Sequence, residues 1–361
     1  MTHLVVSISG HGYGHVAQTA PILNALQHML PDLRITVRST VPLNHLRSRI
    51  HAPYTHLPSI GDIGMLMSSA LDVRADDSRI AYQKFHADWA ARVNEEAALL
   101  RKLRADYVFS NVGFLALAGA QQAGIGNAAL CSLNWFDIYS HYCGTDAIAA
   151  QIQTCYANAD AFLRATPGML MTSMPNLIPI APIADLGKNR RDELNRKLKL
   201  SHEQKLVLIS MGGIDTRLPI EQWPRIAGVK YLVQQRWQAE HPDAIVLESL
   251  DMSFNDLLSS SDVLLCKPGY GSFVEAAYSG VPVLYVSRAD WPESPALLEW
   301  LQIHGVCREV TREHLAQGNL AQDLTALFAQ RRHPNAPPAG AIQAATWLAQ
   351  KLASGARSKL T

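Results

Sequence analysis

The residue types best suited to chemistry stand in one short stretch of the second half of the chain. Lys267 is followed at close spacing by Gly269 and Gly271, and the pattern predicts a helix from Phe273 to Ser279. Glycines let a backbone approach a ligand, and the open amides at the start of a helix attract negative charge. With the lysine cation they predict a binding site for an anion of the diphosphate type.

The same stretch has a second interpretation. Ser272 and Glu275 fit the capping box S-x-x-E, in which the two side chains only start a helix. In the anion site, Tyr270 and the amides of Ser272 and Phe273 would instead face the ligand. The residues alone leave both interpretations open.

A second glycine loop lies near the N-terminus and carries two histidines. A strand-like run is followed by Gly-His-Gly-Tyr-Gly-His, which places His11 and His15 around Gly12 and Gly14. Loops at the carboxyl ends of parallel strands bind ligands, and a neutral imidazole can take a proton from a hydroxyl. We predict that one of the two histidines is a general base, although either could instead bond only the loop backbone. We expect no metal site, because no third ligand stands at a suitable spacing.

The N-terminal loop also supports an alternative. Gly12, Gly14 and Ala17 match the dinucleotide fingerprint G-x-G-x-x-A. An NAD enzyme needs an acidic residue at the end of the second strand, and Arg38 stands there instead. An NADP oxidoreductase, in which that arginine meets the 2′-phosphate, therefore stays open.

Further candidates for substrate contacts stand where other predicted strands end. Asp137 is suited to orient a catalytic histidine or to bind an acceptor hydroxyl, or else to cap the next helix. Gly212 and Gly213 form another glycine loop, and Asp290 and Glu293 follow a late strand.

These loops need two α/β units in tandem to position them. Apolar runs of strand length alternate with helical patterns, which is typical of parallel sheets covered by helices. A shift in composition near residues 165–190 indicates a linker. We predict an N-terminal acceptor-side domain over 1–175, a donor domain over 176–340, and a C-terminal helix and tail over 341–361.

Composition limits the classes of function. Of the 361 residues 48% are hydrophobic and 17% are charged, and the net charge is +1. This balance provides no strong field that would attract nucleic acid or an anionic membrane. The five cysteines are odd in number and lack a C-x-x-C, which argues against a disulfide framework and fits a reducing cytoplasm. No apolar run reaches membrane-spanning length, so we expect a cytoplasmic protein whose membrane contact, if any, is peripheral.

The order of these features resembles the GT-B glycosyltransferases. Their second half binds a nucleotide-sugar at the pattern basic-x-G-x-x-S-x-x-E, which Lys267, Gly269, Ser272 and Glu275 match. The resemblance implies an α/β fold of two Rossmann-like domains facing each other across a cleft, with a C-terminal helix that returns to the first domain. It also implies that Lys267 holds the diphosphate and that Glu275 accepts hydrogen bonds from the ribose.

A narrower resemblance is to the glycosyltransferase-like N-terminal segment of L-arabinokinases and its stand-alone bacterial relatives. It rests on S-G-H-G-Y-G-H, S-L-N-W-F-D-I-Y, M-G-G, G-Y-G-S-F-V-E-A and R-A-D-W-P-E-S-P, in that order. The first loop departs from the pattern at Val16-Ala17-Gln18, where A-T-R is usual, so we expect the phosphate contact of that arginine to be lost. The galactokinase-like portion is absent from the sequence, so the resemblance does not imply kinase activity.

The resemblance therefore predicts a glycosyltransferase. It would move a sugar from a nucleoside-diphosphate sugar, UDP-sugar first among them, to an unidentified small-molecule or lipid acceptor. Direct displacement without a metal ion would invert the anomeric centre. The nucleotide-sugar is a co-substrate, and no further cofactor is expected. Two alternatives stay open, a nucleotide-sugar binding protein without transfer and a nucleotide-sugar epimerase of the same fold.

Overall fold

The computed structural model describes residues 2–330 and 336–357. The first half forms one parallel sheet, with the strand order β3-β2-β1-β4-β5-β6-β7. Its strands are β1 (His3–Ile8), β2 (Arg34–Arg38), β3 (Thr55–Leu57), β4 (Tyr107–Asn111), β5 (Gly126–Cys131), β6 (Ala161–Ala165) and β7 (Leu177–Ile180). Its helices are α1 (Gly14–Met29), α2 (Leu43–Arg49), α3 (Ala75–His86), α4 (Trp89–Leu103), α5 (Phe114–Ala123), α6 (Trp135–Cys143) and α7 (Ala147–Ala157).

The second half forms another parallel sheet, with the order β10-β9-β8-β11-β12-β13. Its strands are β8 (Lys205–Ser210), β9 (Val229–Val233), β10 (Ala244–Val246), β11 (Val263–Cys266), β12 (Val283–Val286) and β13 (Cys307–Val310). Its helices are α8 (Arg191–Leu198), α9 (Phe254–Ser260), α10 (Tyr270–Tyr278), α11 (Ser294–His304), α12 (Arg312–Gln317) and α13 (Ala321–Phe328), and α14 (Gly340–Arg357) follows. Short 3-10 turns cover Ile220–Gln222, Gln235–Trp237 and Leu247–Leu250.

The central strands are buried over their whole length because helices cover both faces of each sheet. Every residue of β1 and of β11 is buried, which explains why β11 is apolar throughout and why β1 is interrupted only by His3 and Ser7. In the first sheet β1 lies between β2 and β4, and in the second β8 lies between β9 and β11. The strand order reverses direction at β1 and at β8, and ligands bind at such points in open α/β sheets.

The first sheet extends beyond the predicted domain boundary at residue 175. Strand β7 pairs with β6, from Phe162 opposite Leu177 to Ala165 opposite Ile180. The proline-rich composition of this run indicated a linker. Pro179 is accommodated because β7 is an edge strand, where the missing amide leaves no ladder bond unmade.

The C-terminal helix returns to the first half, as the resemblance implied. Helix α14 packs on α1 and buries Ala345 and Leu348 in the core that contains the first sheet. The side chain of Gln343 accepts from the amide of Ala181 at 2.8 Å, and Lys351 lies 3.8 Å from Asp160. Residues 358–361 of the predicted tail lie outside the described residues.

The two halves also touch directly where α1 meets α10. A Cβ atom on Gly271 would lie 2.8 Å from the Cβ of Ala17, so a larger residue at position 271 would push the halves apart. One cluster of buried apolar residues runs from Leu4 in β1 to Leu264 in β11. Among the helices of the described ranges, none is long and apolar enough to cross a bilayer.

Candidate functional site

The carboxyl ends of the two sheets border one cavity of about 580 Å³. It contains most of the residues that the sequence pointed to. Those that line it are His11, Gly12, Gly14, His15, Gly212, Gly213, Lys267, Gly269, Tyr270, Gly271, Ser272, Glu275 and Glu293. The cavity therefore joins the histidine loop of the first half to the lysine loop of the second.

Phe273 is one of three predicted site residues that do not line the cavity. Its side chain is fully buried and lies against the ring of Tyr285, and its amide donates to the carbonyl of Gly269 at 3.0 Å. Helix α10 begins at Tyr270, three residues before the predicted start at Phe273. The open amides are those of Tyr270, Gly271 and Ser272, because the first positions of a helix have no partner within it.

Asp137 and Asp290 also lie away from the cavity lining. Asp137 stands in the first turn of α6, where its carboxylate accepts from Asn134 at 2.7 Å; Asn134, and not Asp137, caps the helix. Asp290 is exposed and accepts from the hydroxyl of Tyr142 through its backbone oxygen at 2.8 Å. Asp137 therefore does not contact either histidine through any hydrogen bond of the described residues.

Lys267 is a half-buried cation at the open end of α10. Its Nζ donates to the carbonyl of Pro268 at 3.3 Å, and no carboxylate of the described residues lies within ion-pair distance. Burial lowers the pKa of Lys267 to about 8, and the nearby charge of Arg288 adds to this effect. A Cβ on Gly212 would lie 3.2 Å from the Lys267 side chain, so the two glycine loops of this half meet here. The arrangement favours an anion as ligand.

Glu275 does not take part in a capping box. Gly269 is the N-cap of α10, and its cap has no side-chain hydrogen bond from the part of the chain that the structure describes. Instead Arg49, from α2 of the opposite half, pairs with the Glu275 carboxylate and also donates to Asn255. Burial raises the pKa of Glu275, and the Arg49 charge opposes that rise. The capping-box interpretation is therefore wrong, and the carboxylate ties the two halves together beside the cavity.

His15 has a defined tautomer. Its Nδ1 lies 2.9 Å from Oδ1 of Asn111, whose own NH₂ group donates to Gln18 at 3.2 Å. Since that amide oxygen can only accept, Nδ1 of His15 carries the hydrogen and Nε2 is the free acceptor. Burial lowers the pKa of His15 to about 4, so the imidazole is neutral near pH 7.

His11 lies between aromatic rings. Its ring is stacked on Trp291 at 5.9 Å between centroids and meets Trp135 edge-on at 5.1 Å. Burial lowers the pKa of His11 to about 3, and the charges of His15 and Arg288 act in the same direction. Its Nε2 is buried and has no hydrogen-bond partner among the described residues. Both histidines are thus neutral bases; within the described residues the ring of His11 bonds the backbone of Met65, whereas the ring of His15 bonds the side chain of Asn111.

A chain of hydrogen bonds connects Asn111, the partner of His15, to Glu293 in the second half. Gln18 donates to Ser132 at 2.7 Å, and Ser132 donates to Glu293 at 2.5 Å. Trp291 donates to the other oxygen of Glu293 at 3.2 Å. Gln18 occupies the position at which the related pattern has arginine, and here it bonds Asn111 and Ser132.

Several residues of this site were not assigned a role from the sequence. They are Gln18, Arg49, Asn111, Ser132 and Arg288. Arg288 belongs to the R-A-D-W-P-E-S-P motif, so the motif alone signalled its neighbourhood. It is 2% exposed, and its guanidinium lies 3.8 Å from the ring centroid of Trp291. In the described residues no group of three or more His, Cys, Asp or Glu side chains is placed to hold a metal ion.

The NADP alternative depended on a free Arg38 at the end of β2. Arg38 is buried and forms a bidentate pair with Glu96 of α4, and it also donates to Ser59 at 2.8 Å. It does not line the cavity. Its guanidinium is therefore a structural group and is not free to meet a 2′-phosphate.

Known proteins resemble this chain at low sequence identity. No family model matches the chain. L-arabinokinase of Arabidopsis thaliana is 24% identical over 326 residues, which cover 88% of this chain. The chain spans about a third of that protein, 31% of its length.

Solved glycosyltransferase structures match nearly the whole chain at low identity. UGT89C1 of Arabidopsis thaliana, solved with UDP, has a TM-score of 0.58 at 12% identity, covering 98% of this chain and 100% of that one. The glycosyltransferase VinC, solved with dTDP, has a TM-score of 0.57 at 14% identity, covering 97% and 95%. The spinosyn rhamnosyltransferase SpnG has a TM-score of 0.57 at 13% identity, covering 98% and 96%. The chain therefore has the GT-B fold, two Rossmann-like α/β domains that face each other across a cleft.

Proposed function

We propose that the protein is a glycosyltransferase that moves a sugar from a nucleoside-diphosphate sugar to an acceptor hydroxyl. One observation carries the proposal: a half-buried Lys267 at the open start of α10, with no carboxylate of the described residues within ion-pair distance, shares a cavity with two neutral histidines of the opposite half. The fold supports it, since two of the similar structures were solved with UDP and dTDP. We take UDP-sugar as the first donor to test and a small molecule or a lipid as the acceptor class. Five free cysteines support a cytoplasmic location.

On the donor side, Lys267 and the amides of Tyr270, Gly271 and Ser272 hold the diphosphate. Negative charge grows on the diphosphate as the sugar leaves, and a fixed cation at a helix start stabilises that charge. Glu275 contacts the ribose. Its Oε1 is bonded to Arg49, and a carboxylate has further lone pairs with which it accepts from a hydroxyl.

On the acceptor side, Nε2 of His15 removes the proton from the acceptor hydroxyl. The acceptor oxygen bonds to the anomeric carbon while the bond from that carbon to the diphosphate oxygen breaks, and the electron pair leaves with the diphosphate. Attack opposite to the leaving group inverts the anomeric centre. Asn111 then stabilises the imidazolium through the Nδ1 hydrogen bond. This scheme gives the charge stabilisation to protein groups and uses no metal ion.

The test follows the sugar by NMR. A thermal-shift screen with UDP, GDP, dTDP, CDP and their sugars first identifies the donor, because a ligand of the native state raises the melting temperature. The donor is then incubated with a panel of sugar, phenol and lipid hydroxyl acceptors. Transfer releases the nucleoside diphosphate and gives a glycoside of inverted configuration. A changed nucleotide-sugar without release would show an epimerase, and binding without any change would show a binding protein; either result contradicts the proposal.

A further inference from the structure

Arg288 is a charged group of the cavity wall that the proposed transfer does not use. It follows β12 and lies under Trp291, the ring on which His11 stacks. The hydrogen bond that it forms within the described residues goes to the sulfur of Met67 at 3.5 Å, and its Nε has no partner there. A fully buried guanidinium is thus held by a thioether and an aromatic face.

Such an arrangement is costly without an anion. Removing a guanidinium from water strongly destabilises the folded state unless a counter-ion or several hydrogen bonds replace the water. The face of Trp291 offsets only part of that cost. The charges of Asp290, Glu293 and Asp72 act on Arg288, but no ion pair or hydrogen bond within the described residues joins them to its guanidinium. Glu293 instead accepts from Ser132 and Trp291. A direct partner for the guanidinium is therefore expected from a ligand.

Arg288 lies near Lys267 and also beside the histidine loop. Lys267 follows β11 at the start of α10, and Arg288 follows the neighbouring strand β12, near enough for its charge to lower the pKa of Lys267. The guanidinium of Arg288 lies over the ring of Trp291, on which His11 also stacks. In the proposed reaction the transferred sugar and the acceptor meet beside the histidines. Arg288 therefore lies beside the reacting sugars, while the helix amides and Lys267 serve the diphosphate.

We infer that Arg288 binds a carboxylate on one of the two reacting partners, so that the substrate is an acidic sugar. This inference rests on the proposed transfer. The carboxylate has two sources with the same chemistry. It belongs either to the sugar of the donor, a nucleoside-diphosphate uronic acid, or to a sugar acid that serves as acceptor. Arginine suits this role because its planar fork matches a carboxylate with two parallel hydrogen bonds.

Calorimetric titration of the full chain tests the inference in two arms. In the donor arm, the wild type and R288M are titrated with UDP, UDP-glucose, UDP-glucuronate and UDP-galacturonate. In the acceptor arm, the UDP-saturated proteins are titrated with glucuronate, galacturonate and glucose. The wild type should bind the carboxylate form at least about tenfold more tightly than the neutral form in one arm. R288M should lose that preference and bind UDP itself within about twofold of the wild type.

Two further variants keep the test decisive. R288K retains a cation without the planar fork, and it should keep part of the preference even where R288M folds poorly. K102Q removes an exposed cation of α4 far from the cavity lining and should behave as the wild type. R288M should also melt at a higher temperature without ligand, because an uncompensated buried charge has been removed.

Three results would overturn the inference. If R288M weakens plain UDP as strongly as K267A does, Arg288 serves the diphosphate. If the wild type shows no preference for the carboxylate in either arm while UDP binding still depends on Lys267, the inference fails and the proposed transfer stands. If no nucleoside diphosphate of the screen binds, both fail together.

Discussion

The two loops that face each other across the cavity are built alike and carry different chemistry. Residues 10–15 follow β1 and open α1, and residues 267–271 follow β11 and open α10. Both strands lie inside their sheets, and neither helix has a side-chain hydrogen bond at its cap. The backbone plan is therefore shared, and each loop presents its side chains to the other.

The difference lies in the charge that each loop presents. Burial keeps His11 and His15 neutral in the first loop, whereas Lys267 in the second stays a cation at neutral pH. A neutral imidazole accepts a proton, and a cation stabilises a leaving anion. In the proposed transfer, one fold unit that is used twice therefore supplies the two halves of the displacement through different side chains.

The largest expected effect comes from removing the base of the first loop. H15Q should lower turnover of the donor and acceptor about 10²- to 10⁴-fold, because Nε2 of His15 no longer takes the proton. Affinity for the nucleoside diphosphate should stay unchanged. Steady-state rates and titration of the same protein separate these two effects.

H11Q is the matched control for that variant. His11 shares the loop, but its ring bonds the backbone of Met65 and lacks the contact with Asn111 through which the imidazolium of His15 is stabilised in the proposed transfer. Its loss should therefore affect turnover less than the loss of His15. A larger loss in H11Q would move the base to His11, and full turnover in both variants would remove the histidines from the mechanism.

The next prediction concerns the Arg49–Glu275 ion pair between the halves and its effect on stability. R49M leaves the Glu275 carboxylate buried without its partner, which should lower the free energy of unfolding by about 3–5 kcal/mol. The double variant R49M/E275L removes both charges and should recover much of that loss. Urea unfolding of the single and double variants measures the coupling.

An exposed ion pair provides the control for this cycle. R79M breaks the pair with Asp76, whose side chain is 89% exposed, and should change stability by less than about 1 kcal/mol. If R49M is as mild as R79M, the ion pair does not hold the halves together. If E275Q retains full stability, the charge of Glu275 is not needed to hold Arg49.

The smallest expected effect is on the pH profile. The base form of His15 persists down to its pKa of about 4, so kcat/KM should not fall near 6.5, the ordinary histidine value. On the alkaline side, Lys267 loses its proton near pH 8, which should weaken donor binding as pH rises through that value. K267R keeps its charge and should remove the alkaline limb. An acidic limb near 6.5 would contradict the burial of the base.

Local patterns in the sequence were sufficient to predict the strands, the glycine loops and the residues of those loops that line the cavity. They could not give the partners of those residues, because the partners are distant in the chain. Arg49 and Glu275 are 226 positions apart, and His15 and Asn111 are 96 apart. Asp137 looked suitable to orient one of the two histidines because it follows the end of a predicted strand, yet its carboxylate accepts from Asn134 instead.

Other differences have equally specific causes. The start of α10 was placed at Phe273 because glycines are usually read as loop, whereas Gly271 lies inside the first turn and allows contact with Ala17. Arg288 received no role because a single arginine in a polar loop is normally exposed. Only the fold reveals that it is buried. The location in the cytoplasm and the identity of the acceptor stay predictions.

The most direct test of the account is calorimetric titration of UDP, or of the nucleoside diphosphate that gives the largest thermal shift, into the wild type, K267A and H15Q. We expect K267A to weaken binding about ten- to a hundredfold, since a charge-assisted bond to the diphosphate is lost. H15Q should bind as the wild type does. If K267A binds the nucleotide as tightly as the wild type, the diphosphate does not lie at the start of α10 and the division of labour between the two loops is wrong.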